Sequence, residues 1–376
     1  MKSLIQIFEL FLLLLSYLVP RNSKIILYAD NNLNNSIYLF RYAARQKDDI
    51  RHVYLTPYPE VQAALNEQGL EALPRWSFTA VYLAFRAGCY VISSSPGQIN
   101  NKLSRHACIV NLWHGISIKE IGMMGLSPKK QAQKRVKYAP YRMIPSTSPS
   151  TQECFCKAFG KDKSLVPILG EPRNDILYRH KGIRNTDFLK RYVDKDISGF
   201  NKIVGFLPTW RDYGDWDAGF DFDRTNDFLI NHNALLIIKP HPKDISFNHL
   251  KNQSNIYVVK RAEGWQDAFE ILVGMDILIT DYSSVAYEYM LMERPIILYT
   301  PDFERYTKDR PFWIDYDLYA PEARIDNASQ LLERIDYYLS DGELPASYFT
   351  ALDRLHTFKD GNSSKRIYQA MLDCLK

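Results

Sequence analysis

The chain has 376 residues, 46% of them apolar, and its 47 basic and 43 acidic residues give a formal net charge of +4. This length allows two domains with full cores, and the weak charge argues against a nucleic-acid protein, so an anionic partner must be bound by a local cluster. The five cysteines show neither a C-x-x-C pair nor zinc-ligand spacing, which indicates reduced thiols in a reducing compartment.

The first predicted element is an apolar helix over residues 4–20, LIQIFELFLLLLSYLVP. It falls at or below the roughly 20 residues that span a bilayer, and no small-residue cleavage pattern follows it. We therefore predict a helix lying in the cytoplasmic leaflet, with a spanning anchor or a helix packed on its own protein as alternatives. The side chains expected to hold it there are Phe8, Phe11, Leu12, Leu15 and Tyr17.

The first half of the chain then alternates short apolar runs with helical patterns, the latter at 33–46, 58–67 and 77–87. Runs that are apolar on both faces and separated by helices are typical of a parallel sheet covered on both sides. The strand-like runs are KIILYA (24–29), RHVYLT (51–56), CYVISS (89–94) and ACIVNLWHG (107–115).

A basic cluster follows within residues 129–137. It is either a solvated helix face or a contact with an anionic membrane surface or acidic substrate. The cluster consists of Lys129, Lys130, Lys134, Arg135 and Lys137.

A second series of buried runs occupies the second half, so we predict an α/β protein with two Rossmann-like domains facing a central cleft. We assign 1–22 to the membrane-associating helix, 23–195 and 196–360 to the two domains, and 361–376 to a helix crossing back to the first domain. The polar segment 179–200 is the expected link. The runs are KIVGFLPTW (202–210), ALLIIKPHP (234–242), IYVVK (256–260), MDILITDYSS (275–284) and PIILYT (295–300).

Polar motifs follow several of these strands, and ligands of such sheets bind beyond the carboxyl ends of the strands. We therefore expect the motifs to converge on the cleft between the domains. They are WHG (113–115), GEPRND (170–175), PTWRD (208–212), KPHP (239–242) and TDYSS (280–284).

Two of the eight histidines lie in these motifs. His114 precedes Gly115, where the absence of a side chain lets a substrate approach the backbone, and His241 is held between two prolines. An imidazole with a pKa near 6.5 can take a proton from an attacking hydroxyl or bind a phosphate. Both histidines are therefore candidates for a direct role.

Ser283 and Ser284 stand where a strand gives way to a helix. Either they only cap the helix, or their hydroxyls and the first helical amides cradle a phosphate. The cations Arg173, Arg211 and Lys239 at neighbouring strand ends favour the second interpretation, because guanidinium and ammonium groups bind phosphate oxygens. The sequence thus predicts a pyrophosphate site.

The signals for metals and cofactors are weak. The patterns DWD (215–217) and DFD (221–223) resemble an Asp-x-Asp metal motif, but such short patterns are common by chance. No phosphate-binding GxxxxGK[ST] loop, strand-linked GxGxxG, GxSxG or HExxH motif occurs. We predict neither a metal nor a cofactor.

Taken in order, NLWHGISIKEIG, GEPRND, FLPTWRD, KPHP and LITDYSSVAYEYMLMERPIILYTPDFERY resemble the CDP-glycerol glycerophosphotransferase family, the teichoic acid primases and polymerases. The resemblance covers residues 110–320. It implies a glycosyltransferase-B type fold on the cytoplasmic face of the cell membrane, as a peripheral or monotopic protein. It also implies transfer of glycerol phosphate from CDP-glycerol to a hydroxyl of a lipid-linked saccharide acceptor, with release of CMP, in cell-envelope polymer synthesis.

The resemblance also implies roles for single residues. His114 matches the family's motif histidine and is the expected general base, while His241 would contact the transferred phosphate. Asp281 would bond a donor hydroxyl or only order its turn. The other expected substrate contacts, including the pyrophosphate ligands, are Gly115, Arg173, Asn174, Asp175, Thr209, Arg211, Lys239, Ser283 and Ser284.

The sequence departs from the family pattern after His-Gly, where Ile116 and Ser117 replace the frequent Thr-Pro. The donor polyol or the acceptor is therefore open. A CDP-ribitol or nucleotide-sugar transferase for capsule or lipopolysaccharide is one alternative, and an inactive membrane-bound scaffold is another. Chain length does not separate a primase from a polymerase.

Overall fold

The computed structural model describes residues 12–30, 34–99, 103–211, 219, 221–241, 244, 247, 250–259 and 268–375. Within this part of the chain, two parallel sheets are each flanked by helices. The α/β class predicted from the apolar runs is confirmed.

The N-terminal sheet has the strand order β3-β2-β1-β4-β5-β6, with all neighbours parallel. The order reverses between β1 and β4, so these strands form the switch point at which ligands of such sheets bind. The strands are β1 (Asn22–Ala29), β2 (Arg51–Thr56), β3 (Ala72–Pro74), β4 (Ala87–Ile92), β5 (Cys108–Asn111) and β6 (Tyr141–Met143).

Helices connect these strands and begin at recognisable caps. Ser77 and Ser148 precede two of them and accept hydrogen bonds from the amides of Ala80 and Thr151, which lack helical partners. The helices are α1 (residues 12–18), α2 (Asn35–Ala43), α3 (Pro59–Glu67), α4 (Phe78–Arg86), α5 (Pro128–Tyr138), α6 (Pro149–Phe159) and α7 (Asn174–Arg179).

The C-terminal sheet has the order β11-β10-β7-β8-β9, again parallel throughout. Its order reverses between β7 and β10, which form the second switch point. The strands are β7 (Lys202–Phe206), β8 (Ala234–Ile238), β9 (Ile256–Val258), β10 (Ile277–Thr280) and β11 (Ile296–Leu298). The helices are α8 (Phe222–Asn231), α9 (Ala268–Leu272), α10 (Val285–Tyr289), α11 (Phe303–Asp309), α12 (Tyr316–Tyr319), α13 (Ala328–Leu339), α14 (Ala346–Leu355) and α15 (Ser363–Asp373).

Two segments connect the halves of the chain. The predicted link, 179–200, packs on the core of the C-terminal sheet through Leu189, Val193 and Ile197. Helix α15 leaves that half and buries Ile367 and Met371 in the core of the N-terminal sheet. The last helix of the chain therefore belongs to the N-terminal half by its packing.

Helix α1 divides its apolar residues between the protein and the solvent. Leu12 and Leu15 pack on the core of the N-terminal sheet, whereas Leu14 and Leu18 are exposed. Two of the side chains predicted to face the membrane, Leu12 and Leu15, thus serve protein packing, because they lie on the helix face turned to the sheet. Tyr17 is about half exposed, and the predicted contacts Phe8 and Phe11 lie outside the described residues.

In the part of the chain that the structure describes, no helix combines the length and the apolar character needed to cross a bilayer. The basic cluster of residues 129–137 lies on α5, where all but Lys134 are exposed. Lys137 and Tyr17 line the same cavity of about 920 Å³, which also contains Arg105 and Arg142. The first and fifth helices thus share one basic and partly apolar surface.

The two halves also touch directly beside the cleft. The amide of Glu120 donates to the Pro311 carbonyl and that of Trp313 to the Ile118 carbonyl, each over 3.0 Å, and Lys119 pairs with Phe312 in an antiparallel bridge. These bonds fix segment 117–120 of the N-terminal half against segment 311–313 of the C-terminal half.

Candidate active site

His114 lies at the rim of the N-terminal switch point. The chain bends sharply after β5, because Trp113 (φ 55°) and Gly115 (φ 128°) have positive φ angles. His114 Nδ1 is 3.0 Å from the Ser93 carbonyl, which follows β4, and its ring lies 4.1 Å from the Trp113 ring. A carbonyl only accepts, so Nδ1 carries the proton and Nε2 keeps a lone pair.

The surroundings of His114 keep it neutral. Desolvation lowers the pKa of the imidazole below 6.5, and the Arg173 charge adds to this, while the Ser93 carbonyl and Asp30 act in the opposite direction. The side chain is nevertheless exposed to solvent on one side. A neutral imidazole with an accessible lone pair can accept a proton from a hydroxyl.

Asp281 organises the turn after β10. Its carboxylate accepts from the Thr209 amide at 3.0 Å, from Thr209 Oγ1 at 2.6 Å and from the Tyr282 amide at 2.6 Å, and it also contacts Arg211. Asp281 is buried. Of the two roles predicted for it, the structure shows the ordering of the turn, in which Thr209 is bonded to this carboxylate.

Arg211 is likewise satisfied within the protein. Its Nε and one terminal nitrogen bind the Asp302 carboxylate over 3.0 Å each, and its other terminal nitrogen contacts Asp281. The guanidinium lies 5.0 Å from the Tyr282 ring centre and is buried. Two carboxylates thus form the forked contacts that a phosphate would otherwise make, and the pyrophosphate contact of Arg211 stays a prediction.

Ser283 and Ser284 remain at the surface of the crevice, partly exposed. Ser283 Oγ accepts only a long 3.4 Å bond from the Val285 amide, and the Ser284 hydroxyl makes no capping bond. Among the described residues, no acceptor binds the amides of Ser283 or Ser284. The cap-only interpretation is therefore not what the structure shows, and these donors stay open to a ligand.

Gly115, the residue after His114, lies against this turn. A Cβ at Gly115 would lie 2.6 Å from Ser284 Oγ, 2.6 Å from Glu288 Oε1 and 2.5 Å from a terminal nitrogen of Arg173. The need for glycine was predicted from the approach of a substrate. The structure adds another reason, since atoms of Arg173 and of two residues of the opposite half already fill this space.

Arg173 joins the two halves beside the crevice, where one of its terminal nitrogens and Ser284 Oγ both adjoin Gly115. One terminal nitrogen donates to Glu288 Oε1 at 2.6 Å and the other to Asn34 Oδ1 at 3.1 Å, while Nε lies 3.4 Å from Glu171 Oε2. Burial raises the pKa of the Glu288 carboxyl, and Arg173 acts in the opposite direction. Because Glu288 Oε1 also accepts from the Ile116 amide at 3.2 Å, this network fixes the loop after β5.

Asp175 and Asn174 lie away from the crevice. The Asp175 carboxylate accepts from the amides of Ser363 and Ser364 at 2.8 and 2.9 Å, and so caps α15. Asn174 is buried, and none of the described residues bonds its side-chain amide. The Asp175 carboxylate is thus used to cap α15, and the substrate contacts predicted for Asp175 and Asn174 stay predictions.

Lys239 and His241 follow β8. The Lys239 amide donates to the Phe206 carbonyl at 2.9 Å, and the exposed His241 ring lies parallel to Trp210, with centroids 6.2 Å apart. Trp210 adjoins Thr209, which is bonded to Asp281. A continuous series of contacts therefore runs from His241 to the turn at 281–284 and on to Gly115 and His114.

Lys119 is a residue of this region that the sequence analysis did not single out, although it lies in the NLWHGISIKEIG motif. Its ammonium donates to Tyr306 Oη at 3.0 Å and lies 5.5 Å from the centre of that ring. Burial lowers its pKa to about 8, while Asp281 acts to raise it. A perturbed pKa in a cleft is a signal of function that only the structure supplies.

The structure describes only one of the two Asp-x-Asp patterns. DWD (215–217) lies outside the described residues, whereas Asp221 of the DFD pattern caps α8 by accepting from the Arg224 amide at 3.0 Å. In the described ranges, no three His, Cys, Asp or Glu side chains are grouped to hold a metal ion.

Comparison with known sequences gives one family. The profile described as "CDP-Glycerol:Poly(glycerophosphate) glycerophosphotransferase" matches residues 12–373. The teichoic acid poly(glycerol phosphate) polymerase of Bacillus subtilis (strain 168) is 25% identical over 334 residues, which are 84% of this chain but 44% of that protein. The polymerase of the same description from Bacillus spizizenii is 26% identical over 382 residues, covering 94% of this chain and 93% of that one. The B. subtilis teichoic acid glycerol-phosphate primase is 28% identical, covering 82% and 79%.

Solved structures share the fold. The wall teichoic acid polymerase TagF superposes with a TM-score of 0.76 at 20% identity, over 94% of this chain and 90% of that one. A UDP-N-acetylglucosamine 2-epimerase from Listeria monocytogenes superposes with a TM-score of 0.59 at 12% identity, over 93% and 96%. Since the second protein is an epimerase, this likeness concerns the fold alone. The likeness to TagF confirms the α/β fold with two parallel sheets that the sequence predicted.

Proposed function

Because the chain belongs to the CDP-glycerol:poly(glycerophosphate) glycerophosphotransferase family, we propose that it transfers glycerol phosphate from CDP-glycerol to a hydroxyl of a lipid-linked saccharide acceptor and releases CMP. The relatives named as a poly(glycerol phosphate) polymerase and a glycerol-phosphate primase support this donor. The product is a teichoic acid or a related polymer of the cell envelope.

The observation that carries the proposal is the contact of Gly115, the residue after His114, with Ser284 in the turn after β10. One half of the molecule provides a neutral imidazole whose Nδ1 is bound to a carbonyl. The other half provides two hydroxyls and two amides without acceptors among the described residues. One half thus supplies a base and the other supplies hydrogen-bond donors for phosphate oxygens, and the two halves meet where Gly115 touches Ser284. A transfer to a hydroxyl requires both groups.

In the proposed reaction, the oxygen of the acceptor hydroxyl attacks the phosphorus that carries the glycerol. Its proton passes to His114 Nε2, and the bond from this phosphorus to the CMP oxygen breaks, so CMP leaves with the electron pair. The donors of Ser283 and Ser284 bind the diphosphate oxygens. His241 and Lys239, at the end of β8, contact the transferred phosphate.

The test is a transfer assay with radiolabelled CDP-glycerol and a lipid-linked saccharide acceptor. We expect label in the lipid fraction and stoichiometric release of CMP. CDP-ribitol and UDP-sugars are offered in parallel, because Ile116 and Ser117 depart from the family pattern. Preference for one of those donors would identify a transferase of ribitol phosphate or of a sugar, and no turnover with any donor would identify the chain as a scaffold.

We further propose that the protein binds the cytoplasmic face of the membrane through α1 and α5. The exposed Leu14 and Leu18 suit the acyl boundary, and the exposed lysines and arginine of α5 suit anionic headgroups. The cavity that Tyr17 and Lys137 share places both helices on one surface. Flotation with anionic vesicles should retain the protein, and a Leu14→Glu, Leu18→Glu variant that floats equally well would refute the proposal.

A further inference from the structure

The cations of the candidate active site differ in what neutralises them. Arg173 is bound to Glu288 and Arg211 to Asp302, so neither is available to a ligand. Lys119 donates only to the phenol of Tyr306. No Asp or Glu of the described part of the chain lies within ion-pair distance of its ammonium.

A desolvated ammonium without a counter-ion is unfavourable. The lowered pKa of Lys119 reflects this cost. The nearest carboxylate that influences it is Asp281, which is already occupied by Thr209 and Arg211. The Lys119 ammonium therefore has no carboxylate of its own among the described residues.

The position of Lys119 points to the same turn as His114. Segment 115–119 touches the opposite half at both ends, through Gly115 against Ser284 Oγ and through Lys119 against Tyr306. The Tyr306 ring stacks on that of Tyr282 with centroids 3.8 Å apart. The ammonium thus contacts a tyrosine whose ring stacks on that of Tyr282, the residue before the two open serines.

We propose that Lys119 is the principal cation for the donor, forming an ion pair with a phosphoryl oxygen of its diphosphate. This inference rests on the proposed function and adds a ligand that the sequence motifs did not assign. In the bound state the ammonium neutralises charge on the diphosphate and on the departing CMP. Tyr306 keeps the ammonium directed at that oxygen.

The test compares Lys119→Met, which removes the charge, with Lys119→Arg, which keeps it, and with Lys190→Met, an exposed lysine whose side chain is 61% accessible. Calorimetry measures binding of CDP-glycerol, CMP and cytidine to each protein. We expect Lys119→Met to weaken CDP-glycerol binding by about 10- to 100-fold, to spare cytidine, and to leave the melting temperature near that of the wild type. Lys119→Arg should recover part of the loss, and Lys190→Met should bind as the wild type does.

The pH dependence of CDP-glycerol affinity is a second test, because a lysine that served only in packing would not affect it. The lysine loses its proton as the pH rises through about 8, so wild-type affinity for CDP-glycerol should fall between pH 7 and 9. The other charged or titratable groups around the ammonium are Asp281, Arg211, Arg310 and Tyr306. In Lys119→Met the fall should disappear.

Equal weakening of cytidine and CDP-glycerol, unchanged CDP-glycerol binding, or an unaltered pH profile in Lys119→Met would overturn the inference. A failure of the proposed donor looks different. If the wild type prefers CDP-ribitol or a UDP-sugar, and Lys119→Met weakens that ligand in the same way, the donor is wrong and the role of Lys119 stands. If the wild type binds no nucleotide diphosphate, both proposals fall.

Discussion

The turn at 281–284 and the segment at 170–175 are both polar motifs, but they differ in how many of their hydrogen-bonding groups are already bonded within the protein. Ser283 and Ser284 keep donors open at the crevice. Arg173 is bonded to Glu288, and Asp175 is bonded to the first amides of α15. We therefore expect a ligand at the strand end whose hydrogen-bonding groups have no acceptor among the described residues, which is the turn at 281–284.

This comparison separates two kinds of expected variant. Changes at the crevice should affect catalysis or ligand binding and leave the fold intact, since the side chains concerned are exposed. Changes in segment 170–175 should affect the stability of the fold first, because the network there is buried and links distant parts of the chain. Each prediction below can confirm or break that separation.

The largest effect is expected for His114→Asn. Loss of the general base should reduce the turnover number by about 10²- to 10⁴-fold, with the melting temperature nearly unchanged, as measured by CMP release and thermal unfolding. In the wild type the rate should fall as the pH drops through the lowered pKa of His114, below 6.5, because the protonated imidazole accepts no further proton.

The control is His232→Asn, at the end of α8, where the imidazole bonds Asp336 at 2.8 Å on the surface. It should retain full turnover. A His114→Asn protein as active as this control would remove His114 from the mechanism and erase the distinction between the two regions.

The next effect is expected for Arg173→Met. The substitution leaves Glu171 and Glu288 buried without their shared cation, so the free energy of unfolding should fall by about 3–5 kcal/mol in a denaturant titration. Lys157→Met, which breaks an exposed pair with Glu153, should cost under about 1 kcal/mol. If Arg173→Met were as stable as Lys157→Met but bound CDP-glycerol weakly, Arg173 would be a ligand contact as the sequence suggested.

The smallest effect is expected for Asp175→Ala. Removal of the cap should cost about 0.5–2 kcal/mol and increase hydrogen exchange at the first amides of α15, while CDP-glycerol affinity stays the same. The exposed Asp187→Ala serves as the matched surface change. If the variant bound CDP-glycerol weakly while hydrogen exchange in α15 stayed unchanged, Asp175 would be a donor contact and not a cap of α15.

The fold was predictable where apolar runs were long enough to bury. RHVYLT, predicted as a strand over 51–56, is β2 with the same bounds, and KIILYA lies within β1. The edge strands β3 (ALP) and β6 (YRM) were missed because a proline or an arginine interrupts their apolar pattern, whereas the equally short β9 and β11 lie in apolar runs. The helix predicted within 361–376 is α15, which begins at Ser363.

The location of the candidate site was predictable because the carboxyl ends of parallel strands share one edge. The sequence could not show which cations were already neutralised. The partners of Arg173 and Arg211 lie far along the chain, at Glu288 and Asp302, and such pairs depend on how the halves meet. Lys119 was missed for the same reason, because its burial arises only at that contact.

The most direct test is the crystal structure of the wild type, or of His114→Asn if turnover is too fast, with CDP-glycerol bound. We predict diphosphate density on the amides and hydroxyls of Ser283 and Ser284, with the Lys119 ammonium at ion-pair distance and position 114 beside the phosphorus that carries the glycerol. A donor bound elsewhere, for example against α5 and its cavity, would contradict the assignment of this crevice as the active site.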